Sequence, residues 1–411
     1  MIQMEQELLH SPDGVSDVYG RACAIKRAVE HRMHKVMELY GFEDIETPSF
    51  EYLNLFLQEG TIVSSRELVK FFDRDGNTLV LRPDFTPSIA RCVAKYYTDE
   101  VFPLRLCYQG HTFVNTERYQ GRSKEITQLG AELINDASVD ADAEMIAMVI
   151  ECLKQAGLSA FQVEIGHADF FNGLLEEVDL SDQEVDLLKT YLEQKNMSGL
   201  EILLRDKVMD PEVKNLLIDL PMLFGNVENL SAAVARTHNK RALDAVARLA
   251  HLYEVLDSYG FQQYLTFDLG LLSQHDYYTG IIFKAYTYGT GDPIALGGRY
   301  DHLIAKFGKE APSIGFAILV DSLLNALHSQ EETISVEERT LLLYPATYRR
   351  EAIAYGHALR SEGRLVSLIR KSSRREMEEY LAYAKKQGFS QILWMENPDE
   401  VHTLPVKEAD L

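Results

Sequence analysis

Apolar positions along the chain recur first at helical spacing and then at strand spacing, and the alternation repeats. Between residues 22 and 40, Ile25, Val29, Met33, Val36, Met37 and Tyr40 form one helical stripe, with Gly41 placed to end it. Residues 42–50 read as a strand, and Pro48, which has no amide hydrogen to give, suits an edge or interface strand. Apolar runs at 71–73 and 78–81 flank the turn signal Asp75-Gly76-Asn77 and predict a hairpin. A helical pattern over 86–97 precedes two long strands, 104–109 and 125–133, on either side of a polar loop at 115–124. A helix capped by Asp140 and running to about Gly157 leads into a strand at 161–165.

From about 170 to 260 the pattern is helical almost throughout, broken at Asp210-Pro211 and Gly225, and predicts an inserted helical subdomain. Strand patterns return at 265–269, 279–286 and 313–319, with a glycine-rich bend expected at Gly297-Gly298. The acidic segment SQEETISVEER (329–339) reads as a linker. After it, strand and helix alternate over 340–344, 349–362, 365–369, 373–387 and 391–395, the order of a small parallel sheet. The expected organisation is an α+β core over 1–328, a linker over 329–339 and a small α/β domain over 340–411, with no internal repeat.

Composition narrows the function classes. At 411 residues the chain is too long for one ordinary core, and 46% hydrophobic residues exclude a disordered protein. No stretch approaches the roughly 20 apolar residues of a membrane span. The first residues, MIQMEQELLHSPDGV, show no basic segment followed by an apolar run, so a secretory leader is not expected and a cytoplasmic location is. Cys23, Cys92, Cys107 and Cys152 stand singly, at neither disulfide-framework nor zinc-finger spacing; neither a metal nor a cofactor is expected. A net charge of −22 argues against phosphate neutralisation as a major activity.

Candidate chemistry gathers in the core. Asp84 and Thr86 share one turn, and Gln128 and Glu132, four apart on a strand, point to the same sheet face. With Tyr278 they make a polar cluster in apolar surroundings. A buried carboxylate without a partner costs several kcal/mol, so Glu132 should have a cation or a hydrogen-bond donor beside it.

Seven motifs stand in fixed order: YGFEDIETPSFE (40–51), LRPDFTPSIAR (81–91), RLCYQGHTF (105–113), GRSKEITQLGAELI (121–134), DYYTGIIF (276–283), GGRYDHL (297–303) and PSIGFAIL (312–319). Together they resemble the class II synthetase core of histidyl-tRNA synthetase over about residues 8–327. The resemblance implies an antiparallel sheet core with a helical insertion, and a C-terminal domain similar to a shortened anticodon-binding domain. It also implies a histidine site in which Asp84, Thr86 and Gln128 hold the ammonium. Glu132 and Tyr278 would hold the imidazole, with Tyr277 beside them in the same motif.

The departures concern the nucleotide. Adenylate formation needs cationic clamps, and loss of one such stabiliser costs about 10²–10³ in rate. The family's Phe-Arg-x-Glu after the aligned strand is here Phe113-Val114-Asn115-Thr116. The arginine three before Asp276 is Ser273, and the last motif's Glu-Arg-Leu is Asp321-Ser322-Leu323. Arg118 and Arg122 in the loop are more simply read as solvated than as replacements. A retained amino-acid pocket without adenylation chemistry is similar to the synthetase-like regulatory subunits of ATP phosphoribosyltransferase, as is the wording Asp84-Phe85-Thr86. That resemblance implies no catalysis by this chain and a short-form catalytic phosphoribosyltransferase as partner. It further implies a homodimer within a hetero-octamer, with L-histidine as feedback ligand. A working histidyl-tRNA synthetase and a histidine- or tRNA-sensing module are the alternatives. The basic residues Arg370, Lys371, Arg374, Arg375, Lys385 and Lys386 could serve the last of these, but Glu376, Glu378 and Glu379 beside them favour a solvated helix face.

Overall fold

The computed structural model describes residues 9–57, 65–115, 123–272 and 277–406, without the side chains of 229, 231 and 232. The polar-loop residues Thr116, Arg118 and Arg122, and Ser273 and Asp276 of the later motif, lie outside the described residues.

The first helix, α1 (Gly20–Leu39), buries the predicted stripe of Val29, Met33, Val36 and Met37. The strand expected over 42–50 is two strands, β1 (Glu43–Asp44) and β2 (Phe50–Tyr52). Pro48 cannot extend a ladder, and the chain changes sheets there: β1 pairs in the large sheet and β2 in a small one. The hairpin forms as β3 (Lys70–Phe72) and β4 (Thr78–Leu81), and β2 completes a three-stranded sheet in the order β2-β4-β3. There follow α2 (Thr86–Tyr96), β5 (Leu104–Phe113), β6 (Glu125–Ile134), α3 (Val139–Ala156) and β7 (Phe161–His167).

Helix α3 is capped by Ser138, not Asp140. The Ser138 backbone is extended and its hydroxyl accepts from the Ala141 amide at 3.1 Å, while Asp140 sits in the first turn facing the positive helix end. Gly157 ends the helix in the left-handed region at φ 102°. From Met145 to Ile150 every α3 residue is fully buried, each large apolar side chain contributing about 1.5–3 kcal/mol.

The next stretch is helical as predicted: α4 (Ala168–Leu175), α5 (Asp182–Glu193), α6 (Met197–Leu204) and α7 (Pro211–Asp219). Gly225 interrupts it through a two-residue strand, β8 (Phe224–Gly225), before α8 (Glu228–Val234) and α9 (Lys240–Ser258). Four strands then return, β9 (Leu265–Asp268), β10 (Ile281–Thr287), β11 (Ala295–Arg299) and β12 (Ser313–Leu319), followed by α10 (Val320–Ser329).

The large sheet has nine strands in the order β1-β5-β6-β12-β11-β10-β7-β9-β8. It is antiparallel apart from the β1–β5 and β7–β9 pairs. The expected bend at Gly297-Gly298 is instead the interior of β11, because both faces there are already occupied. A side chain at 297 would meet the Phe283 ring at 2.3 Å, and one at 298 the Tyr278 ring at 3.0 Å.

The C-terminal segment is β13 (Arg339–Tyr344), α11 (Arg349–Ser361), β14 (Leu365–Arg370), α12 (Met377–Lys386), β15 (Gln391–Asn397) and β16 (Glu400–Pro405). Its sheet order is β14-β13-β15-β16, the first three parallel and β16 an antiparallel edge that the pattern did not reveal. By backbone contacts the chain divides into two compact units, one built around Val29–Thr333 and the other around Asp17–Ala28 with residues from Ile334 onward. No helix among the described residues is long and apolar enough to cross a membrane.

Candidate functional site

The polar cluster assembles on one face of the large sheet. Strand alternation places Gln128, Gly130 and Glu132 of β6 on that face, as the spacing predicted. The ladder sets Glu132 opposite Leu106 on one side and Gly315 on the other, and Gly315 opposite Gly298. A Cβ at 315 would stand 1.6 Å from Glu132 Oε2, so the carboxylate lies in space that only glycine leaves open. A side chain at Gly130 would meet the Tyr108 hydroxyl at 2.4 Å, which sets that hydroxyl between Gln128 and Glu132.

Glu132 is 1% exposed, and its known donors are neutral. Tyr300 donates its hydroxyl to Oε2 at 2.6 Å, and Thr86 donates to Oε1 at 2.9 Å. Burial pushes the Glu132 carboxyl up to about 8; the Tyr300 and Thr86 hydroxyls oppose the rise and the Asp84 charge adds to it. Asp84 accepts from the Tyr277 hydroxyl at 3.1 Å and from the Thr86 amide at 3.3 Å. The Tyr277 ring meets Tyr278 edge-on at 5.1 Å and Tyr300 at 5.9 Å, making an aromatic wall. Burial first, and then the nearby carboxylates, raise the hydroxyls of Tyr277, Tyr278 and Tyr300 well above the usual phenol range, so all three are neutral donors. Gln128 Oε1 is buried with no hydrogen-bond partner among the described residues, a polar atom open to a further donor.

Five predicted residues, Asp84, Thr86, Glu132, Tyr277 and Tyr278, thus come together, and Gln128 stands two rows along the same face. Sequence reasoning missed Tyr300 and Tyr108. Both sit inside quoted motifs, but strand parity alone did not say which way they turn. Tyr108 is stacked on Phe85 at 4.3 Å, and the Arg82 guanidinium lies 3.9 Å from the Phe85 ring centre. The Arg82 guanidinium is committed to the His111 and Thr47 carbonyls at 2.9 and 2.8 Å, a structural use.

What the cluster can do follows from its charge. Two carboxyl groups, neutral hydroxyls and an unmatched amide oxygen, enclosed by rings, favour a small ligand carrying positive charge or N–H donors. Among the positions where the motifs depart, Val114 follows β5 with its amide on the Lys124 carbonyl at 2.9 Å, and Ser322 lies in the first turn of α10. Neither side chain can carry positive charge toward a phosphate. Beside it, Asp321 Oδ2 accepts from the Thr127 amide at 2.8 Å and ties α10 to β6.

A cavity of about 630 Å³ elsewhere in the fold has a different character. Arg299 shares its sheet face with Leu133, opposite to Glu132. Arg299 and Arg248 both bind the fully buried Asp142, at 2.7 and 2.5 Å. His167, lining the same cavity, is driven down to about 4 by burial and is a neutral ring whose Nδ1 accepts from the Asp169 amide. Its charged groups satisfy one another, as a structural ion network does.

Comparison with known proteins agrees with this architecture. The family model of histidyl-tRNA synthetase matches residues 14–323. An ATP phosphoribosyltransferase regulatory subunit from Acetivibrio thermocellus is 36% identical over 99% of this chain and 97% of its own length. One from Clostridium kluyveri is 36% identical over 93% of this chain and 98% of its own. The crystal structure of an ATP phosphoribosyltransferase regulatory subunit/histidyl-tRNA synthetase from Bacillus halodurans superposes with a TM-score of 0.83 at 34% identity, covering 94% of this chain and 98% of that one. Histidyl-tRNA synthetase from Nostoc, at 18% identity, shares the fold with a TM-score of 0.80 over 97% of each chain.

Proposed function

The chain belongs to the family of ATP phosphoribosyltransferase regulatory subunits, built on the histidyl-tRNA synthetase plan, and from that premise we propose how its pocket serves regulation. Its role is regulatory, in histidine biosynthesis, alongside a catalytic ATP phosphoribosyltransferase chain. The ligand of the Glu132 pocket is L-histidine. Asp84, Thr86 and Gln128 receive the ammonium, and Glu132 with Tyr277 and Tyr278 receives the imidazole. The observation that carries this reading is the buried Glu132 carboxyl, whose partners among the described residues are neutral hydroxyls, in space cleared by Gly315.

Regulation then has a simple thermodynamic form. Histidine shifts the complex between active and inhibited states only so far as it binds one of them more tightly. The chain itself makes no histidyl-adenylate, since Val114 and Ser322 offer no charge to a transferring phosphate. The assembly is a dimer of this chain within a hetero-octamer with the short-form catalytic subunit, in the cytoplasm.

The test is the activity of a short-form ATP phosphoribosyltransferase measured with and without this protein, across a histidine titration. Activity and histidine sensitivity that both depend on this chain are expected. No complex, and no change in either quantity, would overturn the proposal.

A further inference from the structure

Away from the pocket, three side chains with metal-binding donors converge at the β1 edge of the large sheet. They are His34 of α1, Asp44 of β1 and Cys107 of β5, and one donor atom from each lies within 4.8 Å of the other two. We propose that His34 Nε2, an Asp44 carboxylate oxygen and Cys107 Sγ form a binding site for a zinc-like divalent ion, which clamps α1 to the sheet edge.

The backbone fixes two of the three donors. β1 and β5 are parallel with Asp44 opposite Cys107, and the Ile45 amide donates to the Cys107 carbonyl at 2.8 Å. Cys107 Sγ stands 3.6 Å from Asp44 Oδ1, and His34 Nε2 stands 2.8 Å from the same oxygen. In a tetrahedral zinc site, bonds of roughly 2.0–2.3 Å put neighbouring donors about 3.3–3.6 Å apart. The sulfur–oxygen pair is therefore already at its bound separation. The imidazole must move out from Asp44 by about half an ångström on those bond lengths. Its separation from the sulfur, which is within 4.8 Å, must settle to the same range, an adjustment open to the half-buried His34 and exposed Asp44.

The other imidazole nitrogen has a carboxylate near it. Glu38, one turn further along α1, lies 3.7 Å from His34 Nδ1 and is itself held by Lys35 at 2.7 Å. Nε2 donates to Asp44 in the ion-free chain, so ion binding shifts the ring proton to Nδ1, on the side where Glu38 can close in as the carboxylate behind a ligating histidine. The donor set selects the ion class, because a sulfur, an imidazole and a single carboxylate suit zinc or cobalt and not magnesium or calcium. Without an ion the Cys107 thiol keeps its proton, burial and the Asp44 charge holding it up to about 12. The ion binds the thiolate and releases that proton to solvent. The exposed side of Asp44 leaves the fourth position to water.

Cobalt(II) is the probe, added to the full chain after stripping with a chelator. The expected result is one equivalent bound, with a thiolate-to-cobalt charge-transfer band and tetrahedral visible bands that zinc then bleaches. Cys107→Ser should abolish the charge-transfer band. His34→Gln, at a residue whose loss leaves the core intact, should weaken binding at least tenfold. No charge-transfer band at stoichiometric cobalt in the wild-type chain would overturn the proposal. So would a band that survives Cys107→Ser, or an undiminished cobalt affinity in His34→Gln, and the His34→Gln affinity decides the matter if Cys107→Ser fails to fold.

Discussion

Glu132 is a carboxyl group whose protonation is set by the fold, through its burial. In the free protein its value of about 8 lies above the ordinary 4.5, so the folded chain holds this proton more tightly than the unfolded chain does. The resulting stabilisation is fully present below about 4.5 and is lost as pH rises through about 8. Denaturant melts of wild type and Glu132→Gln over that window should therefore diverge, the wild type losing stability with pH relative to the variant. Parallel curves would show that the carboxyl is ionised throughout. A cationic ligand reverses the preference and drives the proton off. Histidine binding should accordingly release protons near neutral pH, seen in calorimetry as a heat that varies with the buffer's ionisation enthalpy. Glu132→Gln should weaken histidine by about 10- to 100-fold, the range for one hydrogen bond to a charged group, with the circular dichroism spectrum unchanged.

At the scale of elements, β11 and β12 shape the site by what they omit. Gly298 leaves room for the Tyr278 ring and Gly315 for the Glu132 carboxylate. Gly315→Ala places a methyl group where the carboxylate now lies. The expected outcome is loss of histidine binding with a destabilisation of about 1–3 kcal/mol, read from calorimetry and a urea melt respectively. On the other face, Asp142 near the start of α3 is fully buried between Arg299 of β11 and Arg248 of α9. Arg299→Met leaves that carboxylate with one cation in place of two. The urea midpoint should fall by the equivalent of about 3 kcal/mol, the lower end for breaking a buried pair, because Arg248 remains.

For the whole molecule, the fold of a synthetase persists while the chemistry of adenylation has no cation at Val114 or Ser322. The purified chain should show no histidine-dependent exchange of pyrophosphate into ATP, while still binding histidine. Exchange at synthetase-like rates would mean that other cations reach the phosphates, and would return the chain to aminoacylation. A related measurement is binding of tRNA at rising salt. The C-terminal basic residues stand beside Glu376, Glu378 and Glu379, and Glu376 and Glu379 form the capping box of α12. Salt-sensitive binding through Arg374 and Arg375 is therefore not expected.

Much of this was legible without coordinates, because it depends on neighbours in sequence. Helical stripes placed α1, α2 and α3, and two-residue alternation put Gln128 and Glu132 on one face. Ordered motifs carried the family resemblance, and single letters at 114, 273 and 322 carried the loss of charge. Misreadings arose where long-range packing outweighed local preference. Gly297-Gly298 has the composition of a bend but lies inside a strand, because Phe283 and Tyr278 fill the space on its two faces. Only the tertiary structure brought Tyr300 to Glu132 across 168 positions, or His34, Asp44 and Cys107 to one sheet edge. Strand order and register decide such meetings, and they are settled by the burial of whole faces, which no short window of sequence contains.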